Sequence, residues 1–183
     1  MNNTAEKIKD FIYSALFAAL TIALGFVSIP IGPVPISGMS LGIMLAGSVL
    51  TAKQAMYSAL TIILLGAIGL PVFSGFTGGL GILFGPRGGY YVGFLFGTGV
   101  IAFLRGKETN VVRFFLANTI GGILVVYAFA IPWLAFVTDM NMQQALYAGA
   151  LPFIIGDLLK ATVASMLAVV LTKHATVFRG KNA

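Results

Sequence analysis

The chain has 183 residues, 58% of them hydrophobic and 9% charged, with a mean hydropathy of +1.00. Such values lie far outside those of soluble domains and mark an integral membrane protein. The lack of cysteine excludes disulfides, iron–sulfur ligation and thiol nucleophiles, and the net charge of +6 does not signal nucleic acid, because Lys and Arg fall mainly between apolar segments and form no basic face.

Residues Met1 to Asp10 form a polar start, and Phe11 to Ile29 is the first apolar span. No small-x-small cleavage signal precedes Pro30, so the span is expected to be a retained helix and not a removed signal. Pro30 to Pro35 (PIGPVP) is a stiff, uncharged turn, since each proline fixes its own φ and biases the residue before it towards extended geometry. Span two runs from about Ser37 to Thr51, Lys53 marks the next turn, and span three covers about Ala55 to Leu70.

Pro71 to Gly89 holds seven glycines, two prolines and no charge before Arg87. So much Gly and Pro makes a poor helix, yet Phe73, Phe76, Leu80 and Phe84 make a poor water-exposed loop. The run is expected to fold back against the bundle as a lid, where irregular backbone offers N–H and C=O groups to a ligand; a merely tight hairpin is the alternative.

Span four covers about Gly89 to Leu104, before a basic turn with Arg105, Lys107 and Glu108. Span five runs from about Val111 to Phe136, with Asn118 inside it and Pro132 near its end; Asp139 lies in a short polar link. Gln143 to Leu151 reads as a slanted or interfacial turn, and the last span runs from about Pro152 to Leu171 before a basic tail of Lys173, His174, Arg179 and Lys181. With no linker, low-complexity run or internal repeat, 1–183 is expected to be a single domain, an all-α membrane protein of six transmembrane helices. The Lys and Arg bias of the loops puts both termini in the cytoplasm of a multi-pass protein in the cell membrane.

Two opposite charges, Asp157 and Lys160, interrupt the otherwise apolar last span. A charge near the bilayer centre costs about 2.5–3.5 kcal/mol, so each needs a partner. Three residues apart, they share one helix face, where they can pair structurally or hold a ligand between them. At 1.5 Å per residue from Pro152 they lie roughly 7–8 Å and about 12 Å inside the outer end, on the side of the proline turn and the lid. A carboxylate beside an ammonium suits a neutral urea or amide, with N–H donors flanking a C=O. Donors for a ligand carboxylate are Arg87, Thr77, Ser74, Tyr90 and Tyr91, although Arg87 can also snorkel to the interface and the tyrosines can serve as interfacial belt residues.

The chain carries no GxxxxGK[ST] phosphate loop, no metal cluster, no His-based triad and no second carboxylate placed for acid–base work, so neither an enzyme nor a cofactor is implied. His174 belongs to a solvated tail.

The run GLPVFSGFTGGLGILFGPRGGYYVGF (Gly69 to Phe94), together with PFIIGDLLK (Pro152 to Lys160), closely resembles BioY, the biotin-specific substrate-binding (S) component of energy-coupling-factor (ECF) vitamin transporters. The likeness extends over nearly the whole chain, through the proline turn and the Pro132-Trp133-Leu134 of span five. It implies an S-component-like six-helix bundle that binds biotin near the outer face, with Asp157 and Lys160 on the ligand's ring system. It also implies a transmembrane coupling protein and two ATPase subunits as partners, in keeping with the absent nucleotide motif. Thr77 stands where a family member carries Asn, and Tyr91 where that member carries Arg; Arg87 lies four residues earlier, in a place usually held by Ser or Thr, so the grip on the carboxylate stays open among them. Ala15, Ala19 and Ala23 recur every four residues on span one and leave a groove for another helix. Homo-oligomerisation is open. An S component for another vitamin, thiamin or riboflavin, is the alternative; an intramembrane enzyme and a purely structural subunit are more distant rivals.

Overall fold

The computed structural model describes residues 3–106 and 109–174. Lys107 and Glu108 of the expected basic turn, and Arg179 and Lys181 of the tail, lie outside the described residues, as does the side chain of His174.

The described residues fold mostly into packed helices. The first, α1 (Asn3–Phe26), is tied at its N-terminal end to the start of α3 (Ala52–Ala67): Gln54 Nε2 donates to Asp10 Oδ1 at 2.7 Å, and Lys53 Nζ lies 3.6 Å from Asp10 Oδ2. Thr51 and Gln54 close a capping box there, so α3 begins at Ala52, three residues before the sequence expectation. After α1 the proline turn forms the tip of a short antiparallel hairpin, β1 (Ser28–Ile29) with β2 (Ile36–Ser37), registered Ser28 to Ser37.

Helix α2 (Met39–Val49) is the axis of the bundle. Nine of its eleven residues are buried, as befits a helix apolar all round and enclosed by α1 and by the helices of residues 88–104 and 151–174. Its C-terminal carbonyls are met by the buried Arg105, which donates to Ser48 O at 2.9 Å and Leu50 O at 2.7 Å.

The glycine-rich run departs from its expected irregularity at one point, where Leu80–Phe84 forms a one-turn helix, α4. Ahead of it, Phe73 and Thr77 pair as a tight bridge around Phe76, which takes a positive φ of 59°. Phe73 is fully buried against Gly66, where a Cβ would lie 2.0 Å from its ring, so only glycine admits this plug. Helix α5 (Gly88–Leu104) then packs on the fifth span through Gly93 and Gly97; a Cβ on Gly97 would fall 2.4 Å from Gly121 O.

The fifth span is one rod of three pieces: α6 (Val111–Thr119), a π-helical turn (Ile120–Val125) and α7 (Val126–Val137). The stretch expected as a slanted turn is the helix α8 (Met142–Gly149), opened by an Asn141–Gln144 capping box. Last comes α9 (Leu151–His174), with Pro152 in its first turn, where its missing N–H is harmless. Thr4–Phe26, Val111–Val137 and Leu151–Lys173 are long and apolar enough to cross a membrane; Met39–Val49 and Gly88–Leu104 are shorter apolar helices.

Candidate ligand-binding site

In the second and third turns of α9, Asp157 and Lys160 stand side by side as their spacing requires. Lys160 Nζ donates to Asp157 Oδ1 at 3.1 Å, and Asp157 is buried. The pair does not stand alone. Ser40, on the first turn of α2, accepts from Lys160 Nζ at 2.9 Å and donates to Asp157 Oδ1 at 3.3 Å. From α7, the Tyr127 hydroxyl donates to Asp157 Oδ2 at 2.6 Å. These bonds use two of the three ammonium protons and leave acceptor capacity on the carboxylate.

All four side chains line one cavity of about 50 Å³. Its apolar wall comes from Val34 and Pro35 at the hairpin tip, Phe94 of α5, Gly122 and Val126 of the fifth span, and Phe153 of α9. Ser37, Ser74, Arg87, Tyr90 and Tyr91 line it as well. A mostly apolar cleft with a few placed polar groups is the usual form of a small-molecule site.

The other expected site residues divide. Arg87 does not turn away from the bundle; it lines the cavity, with Nη1 3.4 Å from both Ser74 O and Thr77 Oγ1. Thr77 stands behind it, donating to Ser74 O at 3.1 Å, and is not among the lining residues. Tyr90 and Tyr91 are buried and not exposed belt residues. The Tyr90 hydroxyl donates to Gly149 O at 2.5 Å, so Tyr90 offers the cavity its ring and not the donor expected of it. Tyr91 packs on Phe73 at 4.2 Å between centroids and edge-on to Phe94 at 6.0 Å.

Sequence reasoning missed Ser40 and Tyr127. A serine in an apolar span usually bonds its own helix and carries no signal. Tyr127 did carry one: it sits mid-way along a 27-residue span, where a phenol needs a buried partner and the interfacial-belt explanation fails. Among the described residues no group of three His, Cys, Asp or Glu could hold a metal.

The BioY family model matches residues 1–176. The biotin transporter BioY of Rhizobium etli is 44% identical over 170 residues, covering 87% of this chain and 90% of its own. That of Thermotoga maritima is 36% identical over 166 residues, covering 91% and 97%. Among solved structures, the S-component for biotin from an ECF-type ABC transporter superposes with a TM-score of 0.87 at 34% identity, covering 98% of this chain and 100% of that one.

Proposed function

The chain belongs to the BioY family, and from that membership and the geometry of the cavity we propose that it captures biotin as the substrate-binding subunit of an ECF-type transporter. The observation that carries this reading is the Asp157–Lys160 pair, buried yet opening into an otherwise apolar cleft.

Biotin joins a cyclic urea to a thiophane ring and a chain that ends in a carboxylate. Asp157 accepts a ureido N–H, and Lys160 donates its remaining proton to the ureido oxygen. The pair carries no net charge, so it suits a neutral urea. Phe94, Val126, Phe153 and the Tyr90 ring cover the thiophane ring. Arg87 takes the carboxylate, with Tyr91 and Ser74 beside it, and Thr77 holds Arg87 in place.

A cavity of about 50 Å³ is far smaller than the roughly 300–1,000 Å³ of the usual small-molecule pocket. Entry therefore requires the hairpin and the 71–89 lid to part and close again. The lid faces outwards, both termini lie in the cytoplasm, and six spans cross the cell membrane: α1, α2, α3, α5, the α6–α7 rod and α9. The subunit is not an enzyme. Uptake draws on a coupling protein and two ATPase subunits, and the exposed Ala15, Ala19 and Ala23 of α1 offer the coupling protein a close approach.

Titration of the purified chain with labelled biotin tests the reading, with thiamin and riboflavin as competitors. Saturable binding that neither competitor reduces is expected; a chain that binds no biotin sinks the proposal.

A further inference from the structure

The rod from Val111 to Val137 changes pitch once, in the π-turn Ile120–Val125. Its inward row is Asn118, Gly122, Val126, Ala130 and Leu134, each buried and each four residues after the last. A straight α-helix turns about 100° per residue, so a strict four-residue row drifts about 40° per step, or roughly 160° from Asn118 to Leu134. Such a row would leave the bundle. A π-turn closes its hydrogen bonds over one more residue and takes back most of that rotation.

The phase is pinned on both sides of the turn. Upstream, Asn118 accepts from Ser48 Oγ and donates to Ser165 Oγ, both at 3.1 Å; downstream, Trp133 Nε1 donates to Gly85 O at 2.9 Å. The widened turn fits because it carries Gly121 and Gly122. Added Cβ atoms would come within 2.6 Å of the Ile101 side chain and 2.7 Å of that of Met44. The residue whose aim depends on this phase is Tyr127, next in sequence to Val126.

We infer that Tyr127 is a positioning residue of the ligand site and that the π-turn is what aims it. Its phenol holds Asp157 Oδ2, while Ser40 and Lys160 hold Oδ1. The carboxylate is thereby fixed in one orientation before a ligand N–H arrives, and the affinity that a freely rotating carboxylate would lose is kept. The inference rests on the reading of Asp157 as the acceptor for a ureido ring.

Biotin affinity and thermal unfolding of wild type, Tyr127→Phe, Asp157→Ala and the double variant test it, with labelled biotin taken to saturation in each. Tyr127→Phe is expected to weaken binding about tenfold, the worth of one hydrogen bond to a charged acceptor. On Asp157→Ala it should add less than about twofold, because its partner is gone. Equal losses in both backgrounds, or no loss in wild type, overturn the inference while leaving biotin capture intact. A wild-type chain that binds no biotin overturns the capture reading first. Deletion of Leu124, exposed within the turn, is a second arm. Folded deletion protein should lose at least as much affinity as Tyr127→Phe, and wild-type affinity there removes the π-turn from the account; where the deletion does not fold, the double-variant comparison decides.

Discussion

Ser37 Oγ and Ser74 Oγ lie 2.8 Å apart, so the hairpin and the glycine-rich loop meet through one hydrogen bond across a cavity that both residues line. A further tie to the glycine-rich loop, from Gly75 N to Gly25 O in the last turn of α1, is longer at 3.3 Å. The seam between the two loops is therefore weakly closed compared with the core below it.

Cysteines at these two positions should control access. The natural chain has no cysteine, so a Ser37→Cys/Ser74→Cys variant carries only the designed pair. The two hydroxyls are already in contact, and the disulfide closes once the β-carbons approach to about 3.5–4.5 Å. Oxidised protein is expected to take up labelled biotin far more slowly than reduced protein, with reductant restoring the rate. Equal association rates in the two states would place the entrance elsewhere.

The buried ion pair should separate stability from recognition. Asp157→Asn leaves the half-buried Lys160 beside a neutral partner, and breaking a fully buried pair costs about 3–5 kcal/mol. The membrane and the partly exposed ammonium put the expected loss at or below the lower end of that range. Adding Lys160→Met should recover much of the unfolding temperature, since the stranded charge is gone, yet leave biotin affinity at least about tenfold below wild type. Thermal unfolding and labelled-biotin titration of the three variants read both quantities. Recovery of affinity along with stability would make the pair a structural tie only.

Arg87 should recognise the carboxylate and nothing else on the ligand. Its bonds to Ser74 O and Thr77 Oγ1 are long at 3.4 Å, so it can turn towards a stronger acceptor at little cost. Arg87→Gln is expected to weaken binding of free biotin by about ten- to a hundredfold. Biotin amide, with no carboxylate, should lose affinity for wild type and be nearly indifferent to the substitution. An amide and an acid that respond alike would move the carboxylate to Tyr91 or to the backbone of the glycine run.

These variants also mark what could be read before any coordinates. Asp157 and Lys160 were legible because an uncompensated charge in an apolar span is costly enough to demand an explanation, and their spacing alone places them on one face. Arg87 was legible as chemistry but not in direction: whether a long cation snorkels or turns inwards depends on Ser74 and Thr77, which only the folded loop brings to it. Ser40 lies 117 residues from Asp157, and nothing local points one at the other. Tyr127 carried a signal as a phenol deep in an apolar span, but its partner could not be named, because its facing depends on the π-turn. Helix α4 is set by tertiary contacts in a run whose glycines favour no single conformation, and the two-residue strands beside the proline turn are too short to show an alternating pattern.

Asn118 supplies the control that divides fold from site. Its side chain joins α2, α6 and α9 through Ser48 and Ser165, deep among apolar neighbours. Asn118→Leu removes both bonds. Ser165 Oγ already donates to Ala161 O at 2.6 Å, and Ser48 can turn to its own helix, so neither hydroxyl need be stranded. That argues for a loss near the membrane-protein average of about 0.6 kcal/mol per interhelical bond, roughly 1 kcal/mol in all, and not for the several kcal/mol of an orphaned polar group. Ser165 lies eight residues beyond Asp157 on α9, about 12 Å along the axis. With Trp133 still holding the rod downstream of the π-turn, biotin affinity is expected to stay within about twofold of wild type while the unfolding temperature falls by a few degrees. A large loss of affinity with little loss of stability would show that the upstream anchor of the fifth span acts on the site after all, through the phase of Tyr127.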